Sequence, residues 1–274
     1  MSMLVSKKTP IPANTSRYSS HYMLKQNASL FSLQAMQRLA TAWLVSSLLC
    51  FPLAAKADPL AQVLAPFSSE YAVDYSGFNA VRSVALEADG DEYSLRTVLT
   101  LKGVARLSGY GPVYEESRFR IVDGVIQPLL YTISEKKPNP KRDIRIEFDW
   151  DQQISRGFAK GEEQQFALQP GIQDPLTFEL MARLRLALGK DTFSLAVHEG
   201  HRVREYTFIP KGEEHVNVAS RAEEVNKYLV DRNSSRELYY WFDPDYLFLP
   251  LKISQVHGQK TKGTVSLLSS TLLN

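Results

Sequence analysis

The chain has 274 residues, with 32 lysine and arginine residues against 30 aspartate and glutamate residues and one cysteine. Residues 1–57 hold six of the basic side chains and no acidic one, so residues 58–274 keep 26 basic and 30 acidic side chains. A net-acidic body has no general attraction for a phosphate backbone, and we therefore expect no nucleic-acid partner. The 217 residues from 58 to 274 are enough to bury a substantial core.

Residues 36–57 have the three-part layout of a secretory signal peptide. Arg38 supplies a short cationic start, an apolar run of about 17 residues follows, and the small residues Ala55 and Ala57 end it. We predict cleavage after Ala57 and export, with the periplasm of a Gram-negative cell as the destination. At most, the mature protein is expected to be peripheral to a membrane.

Other interpretations of the leader stay open. The apolar run is also compatible with a membrane anchor or a buried helix, although Pro52 ends it short of the roughly 20 residues that a spanning helix needs. Cys50 suggests lipid attachment, but Leu49 stands where a small residue is required. Residues 1–35 are polar and are expected to be disordered or to precede the true start, Met36; the alternative is a long first region of the signal.

Removal of Cys50 with the leader leaves a mature chain without cysteine. Such a chain has no disulfide, no thiolate metal site and no cysteine nucleophile. We predict no metal and no cofactor.

After the leader, apolar and polar residues alternate with the period of two that strands with one buried face show. The clearest case is Ile144 to Trp150, and about a dozen strands of this kind are predicted. Gly-containing turns separate them, as at Asp89 to Asp91, Asp123-Gly124, Lys160-Gly161, Glu199-Gly200 and Lys211-Gly212. Strands joined so tightly are antiparallel.

One segment, about residues 174–188, predicts a helix. Asp174 is expected to cap it, Pro175 to open it and Gly189 to end it. Leu176, Leu180, Leu184 and Leu188 recur every four residues and form an apolar stripe that must lie on the sheet or plug an opening. We therefore predict a mainly β fold for residues 58–274. It is a single domain in which a curved antiparallel meander forms a half-closed barrel or sandwich with this helix packed on it.

No catalytic signature is present in the sequence, so no catalytic residue is assigned and a hydrolase-type enzyme is the least favoured of three classes. His198 and His201 are the best metal candidates, but they flank a turn typical of a solvated hairpin tip, and His215 and His257 stand alone. The remaining charged sets each have a simpler explanation. The pairs Asp149/Asp151 and Asp243/Asp245 are typical of turns, and the basic set Lys136, Lys137, Lys141 and Arg142 is typical of an exposed loop, with contact to anionic lipid headgroups as the alternative.

Aromatic residues concentrate at the inward positions of strands and from Tyr239 to Phe248. The simplest interpretation is an aromatic core. The alternative is an apolar cavity in a half-closed barrel, with the helix as a lid over a hydrophobic ligand.

Four segments have a characteristic order and spacing: Phe67 to Gly77, Glu147 to Trp150, Gln173 to Leu176 and Trp241 to Ile253. Through them the chain resembles the exported bacterial family called domain of unknown function 3108. The resemblance implies an exported, mostly β protein with no assigned activity. At the level of the fold it also implies a likeness to periplasmic half-barrels that carry lipids and lipoproteins.

Two functions follow as hypotheses. The first is a periplasmic module that binds or carries a lipid or lipoprotein acyl chain between the sheet and the helix at 174–188. The second is an adaptor that contacts an envelope protein through exposed aromatic residues between Trp241 and Phe248. The sequence assigns no binding residue to either function.

Overall fold

The computed structural model describes residues 58–103, 111–137, 139–218 and 221–273. The predicted signal peptide and Met36 lie outside these ranges. A short helix, α1 (Pro59–Val63), precedes eight strands: β1 (Phe67–Tyr75), β2 (Phe78–Asp89), β3 (Glu92–Leu101), β4 (Val113–Val122), β5 (Val125–Glu135), β6 (Ile144–Asp149), β7 (Ile154–Ala159) and β8 (Glu162–Ala167). Then come α2 (Thr177–Ala187), β9 (Phe193–His198), β10 (Val203–Val218), β11 (Arg221–Asp231), β12 (Arg236–Asp243), β13 (Leu249–His257) and β14 (Lys260–Ser270). Within the described ranges no helix combines the length and the apolarity that crossing a membrane requires.

The strands form one antiparallel sheet in the order β8-β7-β6-β5-β4-β3-β2-β1-β14-β13-β12-β11-β10-β9. All neighbours are joined by hairpins except β1 and β14, which bring the two ends of the described chain together. The predicted mainly β fold is therefore confirmed, and the sheet is curved but not closed.

The two edge strands, β8 and β9, are not paired with each other, yet side chains bring the edges together. His198 of β9 packs edge-on against Phe166 of β8, with ring centroids 4.9 Å apart. Gln173, which precedes α2, pairs with the outer side of β9: its N–H donates to the Ala196 carbonyl and its carbonyl accepts from the His198 N–H, both at 2.8 Å. The half-barrel is thus closed by side chains and by one bridging residue.

Helix α2 lies inside this half-barrel and is buried on almost every side. It begins at Thr177, two residues later than the predicted Pro175, but Asp174 still accepts hydrogen bonds from the Leu176 and Thr177 N–H groups. Gly189 ends the helix in the left-handed conformation, as predicted.

The predicted apolar stripe on α2 is confirmed at Leu176, Leu180 and Leu184, which are buried, but it is wrong at Leu188, which is 55% exposed. Arg183, a cation in the second half of the helix, is only 2% exposed. The sheet wraps around the helix, so polar positions of the helix are enclosed together with apolar ones.

The predicted hairpin at Lys211-Gly212 is also wrong. Both residues lie inside β10, at a bulge between Pro210 and Glu213. Glycine with a positive φ is common in β-bulges as well as in turns, and Gly212 has a φ of 92°. The sequence signal is therefore the same for both. The strand continues through the bulge to Val218.

Candidate functional site

The inner face of the sheet carries an open apolar groove at one end of the half-barrel. Its volume is about 470 Å³. We call it the mouth groove; it is lined by Val73, Tyr75, Phe78, Ala80, Leu99, Leu101, Gly111, Val113, Glu135 and Arg142. Phe78 is 56% exposed and Tyr75 is 45% exposed, which makes them the prominent apolar side chains of the groove.

Strand register explains why these residues share one face. Val73 of β1 lies opposite Ala80 of β2, which lies opposite Leu101 of β3. Tyr75 is likewise opposite Phe78. Directly opposed residues of neighbouring strands point to the same side of a sheet, so an apolar band crosses the first strands beyond the reach of α2.

The next row toward the interior is polar and forms a floor beneath the groove. Arg82 lies opposite Leu99, a groove residue, and its guanidinium is 3.7 Å from a carboxylate oxygen of Glu179 on α2. The Tyr240 hydroxyl donates to the same carboxylate over 3.2 Å. Burial is the main cause that raises the pKa of Tyr240 and of Tyr71 beside it, and the charge of Glu179 adds to both shifts.

Arg183 lies behind this floor. Its Nε donates to the Leu247 carbonyl over 3.1 Å, and its guanidinium carbon lies 5.4 Å from the centre of the Phe67 ring. Its Nη2 is buried and has no hydrogen-bond partner among the described residues. Burial lowers the pKa of Arg183 to about 10, and the cavity that Arg183 shares with Arg82 and Glu179 has a volume of about 20 Å³. This space holds about one water molecule.

The space between α2 and the sheet is therefore filled by side chains. It is the place where the sequence predicts a hydrophobic ligand, with the helix as a lid. An acyl chain does not fit a volume of about 20 Å³. The larger apolar opening lies at the end of the half-barrel instead.

Asp174 is fully buried at the start of α2 and accepts a hydrogen bond from the Ser117 hydroxyl of β4. Burial raises the pKa of the Asp174 carboxyl to about 6, although the hydrogen bonds from Ser117 and from the backbone of Thr177 and Leu176 oppose the shift. Nearby, the Tyr131 hydroxyl donates to Glu115, whose other oxygen accepts from Thr97. Ser117 thereby ties the start of the helix to β4, and the neighbouring bonds tie β4 to β3 and β5.

The prediction that His198 occupies a solvated hairpin tip is wrong, because the side chain is buried. The Gly200 N–H donates to Nδ1 over 3.1 Å, so the ring proton is on Nε2, which donates to the Ser155 hydroxyl over 2.9 Å. This tautomer cannot accept the serine proton, so the pair is no nucleophile–base dyad. Burial lowers the pKa of His198 to about 4.

The other predicted candidates stay apart from the groove or serve turns. Asp149 accepts from the Gln152 N–H and Asp243 from the Asp245 N–H, both at 2.9 Å, which confirms the turn interpretation of the two aspartate pairs. The His257 Nδ1–H donates to the Ser235 carbonyl, and His215 lies on β10. No group of three or more His, Cys, Asp or Glu side chains in the described ranges could hold a metal ion.

The basic set of the sequence does reach the groove. Lys136, Lys137, Lys141 and Arg142 are exposed on the link from β5 to β6, and Arg142 forms a 3.0 Å ion pair with Glu135 at the groove rim. A Cβ on Gly111 of the groove would lie 2.6 Å from the Cβ of Lys136. Exposed lysines therefore flank the opening.

The predicted exposed aromatic surface between Trp241 and Phe248 is wrong. Phe242 is fully buried, and Trp241 is 6% exposed. Lys227 and Lys252 lie over the Trp241 ring at 5.0 and 4.7 Å, and its indole N–H donates to Glu214. These aromatic residues build the core and a second cluster instead of an adaptor surface.

Sequence reasoning missed Phe78, Arg82 and Arg183. A signal for Arg82 exists, because it interrupts the apolar positions Ala80, Val84 and Leu86 of an alternating strand. Arg183 has no such signal, because a late cation is ordinary in a solvated helix. Phe78 directly follows a Gly-containing turn, and the alternation there is too short to indicate on which face of the sheet Phe78 lies.

A second open groove lies along β14, β1, β2 and β3, with a volume of about 860 Å³. Its lining is rich in serine hydroxyls, and Arg96 there is paired with Glu87 and Glu116. It offers neither the continuous apolar surface nor the flanking cations of the mouth groove. The mouth groove is therefore the stronger candidate.

The family profile described as a protein of unknown function, DUF3108, matches residues 70–258. No curated protein sequence matches the chain. Solved structures similar to it include a β-barrel-like protein of domain DUF1849 from Brucella abortus, at 10% identity and a TM-score of 0.48, over 76% of this chain and 97% of that one.

Two further similar structures contain MucB. The crystal structure of MucB is 12% identical with a TM-score of 0.34, over 86% of this chain and 59% of that one. The complex of Pseudomonas aeruginosa MucA and MucB is 12% identical with a TM-score of 0.32, over 78% and 54%. The profile match spans the mouth groove and its polar floor. By this match, the chain belongs to the DUF3108 family of proteins of unknown function.

Proposed function

We propose that this protein is an exported binding module that takes the acyl chain of an envelope lipid or lipoprotein into the mouth groove. The observation that carries the proposal is an open apolar groove of about 470 Å³ on the inner face of the sheet. Ligand pockets of proteins are commonly about 300–1,000 Å³ and mostly apolar. The groove meets both criteria.

The lining favours a hydrocarbon chain. Apolar side chains from β1 to β4 supply most of it, and the charged pair at the rim, Glu135 and Arg142, is mutually neutralised. Each methylene that leaves water contributes about 0.8 kcal/mol, so several buried methylenes give useful affinity. The polar floor around Arg82 and Glu179 sets the depth to which such a chain enters.

The proposal is one of binding rather than catalysis. The titratable groups nearest the groove are already engaged: Glu135 pairs with Arg142, and Glu179 pairs with Arg82 and Tyr240. No reaction is assigned to them. Export belongs to the same proposal, and N-terminal sequencing of the mature protein is expected to begin at Asp58.

A photo-crosslinking residue in place of Phe78 tests the proposal in intact cells. Irradiation is expected to give adducts with acyl lipid, identified by mass spectrometry of the digested protein. The matched control places the same crosslinker at Leu188, which has nearly equal exposure, 55% against 56%, and lies outside the groove. Leu188 is expected to give no lipid adduct.

A binding measurement complements the crosslinking experiment. Phe78→Glu brings a charge into the groove and is expected to weaken binding of a fluorescent fatty-acid probe at least about tenfold, while Leu188→Glu leaves it unchanged. Protein adducts at Phe78 without lipid would favour the adaptor hypothesis instead. Equal effects of the two substitutions on probe binding would contradict the groove as the site.

A further inference from the structure

The two ends of the half-barrel carry opposite charge. In an antiparallel meander, successive connections alternate between the ends, so the links after odd-numbered strands share one end and those after even-numbered strands share the other. The links after β1, β3, β5, β7, β9, β11 and β13 lie at the end where the mouth groove opens. We call this the mouth end.

The described residues of the mouth-end links hold eight basic and two acidic side chains. The basic ones are Lys102, Lys136, Lys137, Lys141, Arg142, Lys160, Arg202 and Arg232, and the acidic ones are Asp143 and Glu199. Outside α2 and the fully buried Asp174, the described residues of the links at the other end hold one basic side chain, Lys190, and five acidic ones: Asp91, Asp123, Asp151, Asp191 and Asp245. A body that is net acidic therefore has net basic links at one end.

The mouth end also presents aromatic side chains. Tyr75 and Phe78 flank the β1–β2 turn and are the half-exposed aromatic residues of the groove. Basic residues around exposed aromatic and apolar groups are the combination that binds anionic bilayers: cations contact the headgroups and aromatic rings enter the interface. A nucleic acid would use the cations but would gain nothing from an apolar groove.

We propose that the mouth end docks on the surface of an anionic membrane, so that the mouth groove faces the lipid it takes up. This inference rests on the proposed function for its purpose, but its own observations are the charge separation between the ends and the exposed aromatic pair. The acidic end then points away from the bilayer, because anionic headgroups repel it. Docking and orientation come from the same charge distribution.

Vesicle flotation tests the docking. The protein isolated from cells that express the full chain is mixed with vesicles of phosphatidylethanolamine and phosphatidylglycerol, or with vesicles of neutral phosphatidylcholine. Binding is expected to be at least about tenfold stronger to the anionic vesicles and to fall as salt rises, because the basic residues are attracted to the negative surface and salt screens that attraction. Equal binding to both compositions, or none, would overturn the proposal.

Charge reversal locates the surface. The double variant Lys136→Glu/Lys137→Glu is expected to lose at least about tenfold in affinity for the anionic vesicles. The control, Lys190→Glu/Lys211→Glu, makes the same change in net charge at exposed lysines away from the mouth end and is expected to keep most of the binding. Equal losses in the two variants would show that net charge alone matters, and docking by the mouth end would be refuted.

Two further measurements distinguish membrane docking from ligand binding in the groove and from nucleic-acid binding. Binding of the fatty-acid probe to the wild-type protein is measured without vesicles, so a failure of probe binding counts against the groove and not against docking. A duplex DNA oligonucleotide is expected to bind weakly. If it binds at least as tightly as the anionic vesicles, the basic end is a surface for nucleic acid and the membrane proposal is wrong.

Discussion

His198 on one edge strand donates its Nε2 proton to the Ser155 hydroxyl on β7, 2.9 Å away, and so connects regions near the two edges of the sheet. The Gly200 N–H donates to Nδ1 of the same ring, and this second bond requires the neutral form of His198. Protonation at Nδ1 would break the bond from Gly200, although Nε2 would still donate to Ser155. The junction between the two ends of the sheet is therefore sensitive to acid.

The pH dependence of this junction has a definite sign. The pKa of His198 is about 4 in the folded protein and 6.5 in its ordinary state, so the unfolded chain binds more protons between these values and stability rises with pH across that window. His198→Gln keeps a donor but does not titrate. The difference in free energy of unfolding, pH 7.5 minus pH 5, is expected to become more negative than in the wild type, as measured by urea unfolding.

Asp174 has the opposite sign. Its folded pKa is about 6 against an ordinary value of 3.8, so the folded protein binds more protons and loses stability as pH rises from about 4 to 6, by up to about 3 kcal/mol. Asp174→Asn keeps the oxygen that accepts from the helix backbone. The same difference between pH 7.5 and pH 5 is expected to become more positive. A variant that follows the wild-type profile would show that Asp174 is already charged at pH 5.

The enclosed helix predicts a contrast between two leucines. Leu184 is 3% exposed and lies in the core, whereas Leu188 is mostly exposed. Leu184→Ala is expected to lower the free energy of unfolding by about 2–5 kcal/mol, and Leu188→Ala by less than about 0.5 kcal/mol. Equal costs, measured by chemical denaturation, would contradict the position of α2 inside the sheet.

Gly157 is required by the pairing of β7 with β6. A Cβ there would lie 1.8 Å from the Arg145 carbonyl oxygen, which is backbone and cannot move aside alone. Gly157→Ala is expected to lower the melting temperature sharply or to prevent folding. At Gly263 the nearest atom is a ring carbon of half-exposed Tyr75, so Gly263→Ala provides the milder control. Similar melting temperatures for the two variants would rule out the close approach at Gly157.

The sequence predicts most of the sheet because alternation is a local signal that burial of one face imposes on each strand. Asp174 and Gly189 locate the helix for a similarly local reason, since capping chemistry acts within a few residues. Local signals do not show, however, which residues the rest of the fold encloses. Arg183 follows the rules of a solvated helix end, and only the wrapping of the sheet around α2 makes it buried.

The candidate site is likewise predictable from the sequence only where a local signal exists. The lining residues belong to four or more strands and are far apart in sequence, so their convergence depends on register across the sheet. Lys136 and its neighbours are recognisable as a basic loop, but their place beside the mouth groove is not. The charge separation of the ends does have a sequence signal, because the alternation of hairpins assigns every link to one end once the strands are known.

The bridge made by Gln173 has a consequence for self-association. Sheets with free edges tend to recruit further strands from other molecules. Here Gln173 occupies outer hydrogen-bonding groups of β9, and β8 is a six-residue strand that starts with the charged pair Glu162 and Glu163. A sheet of this width thus exposes little edge that another copy could extend.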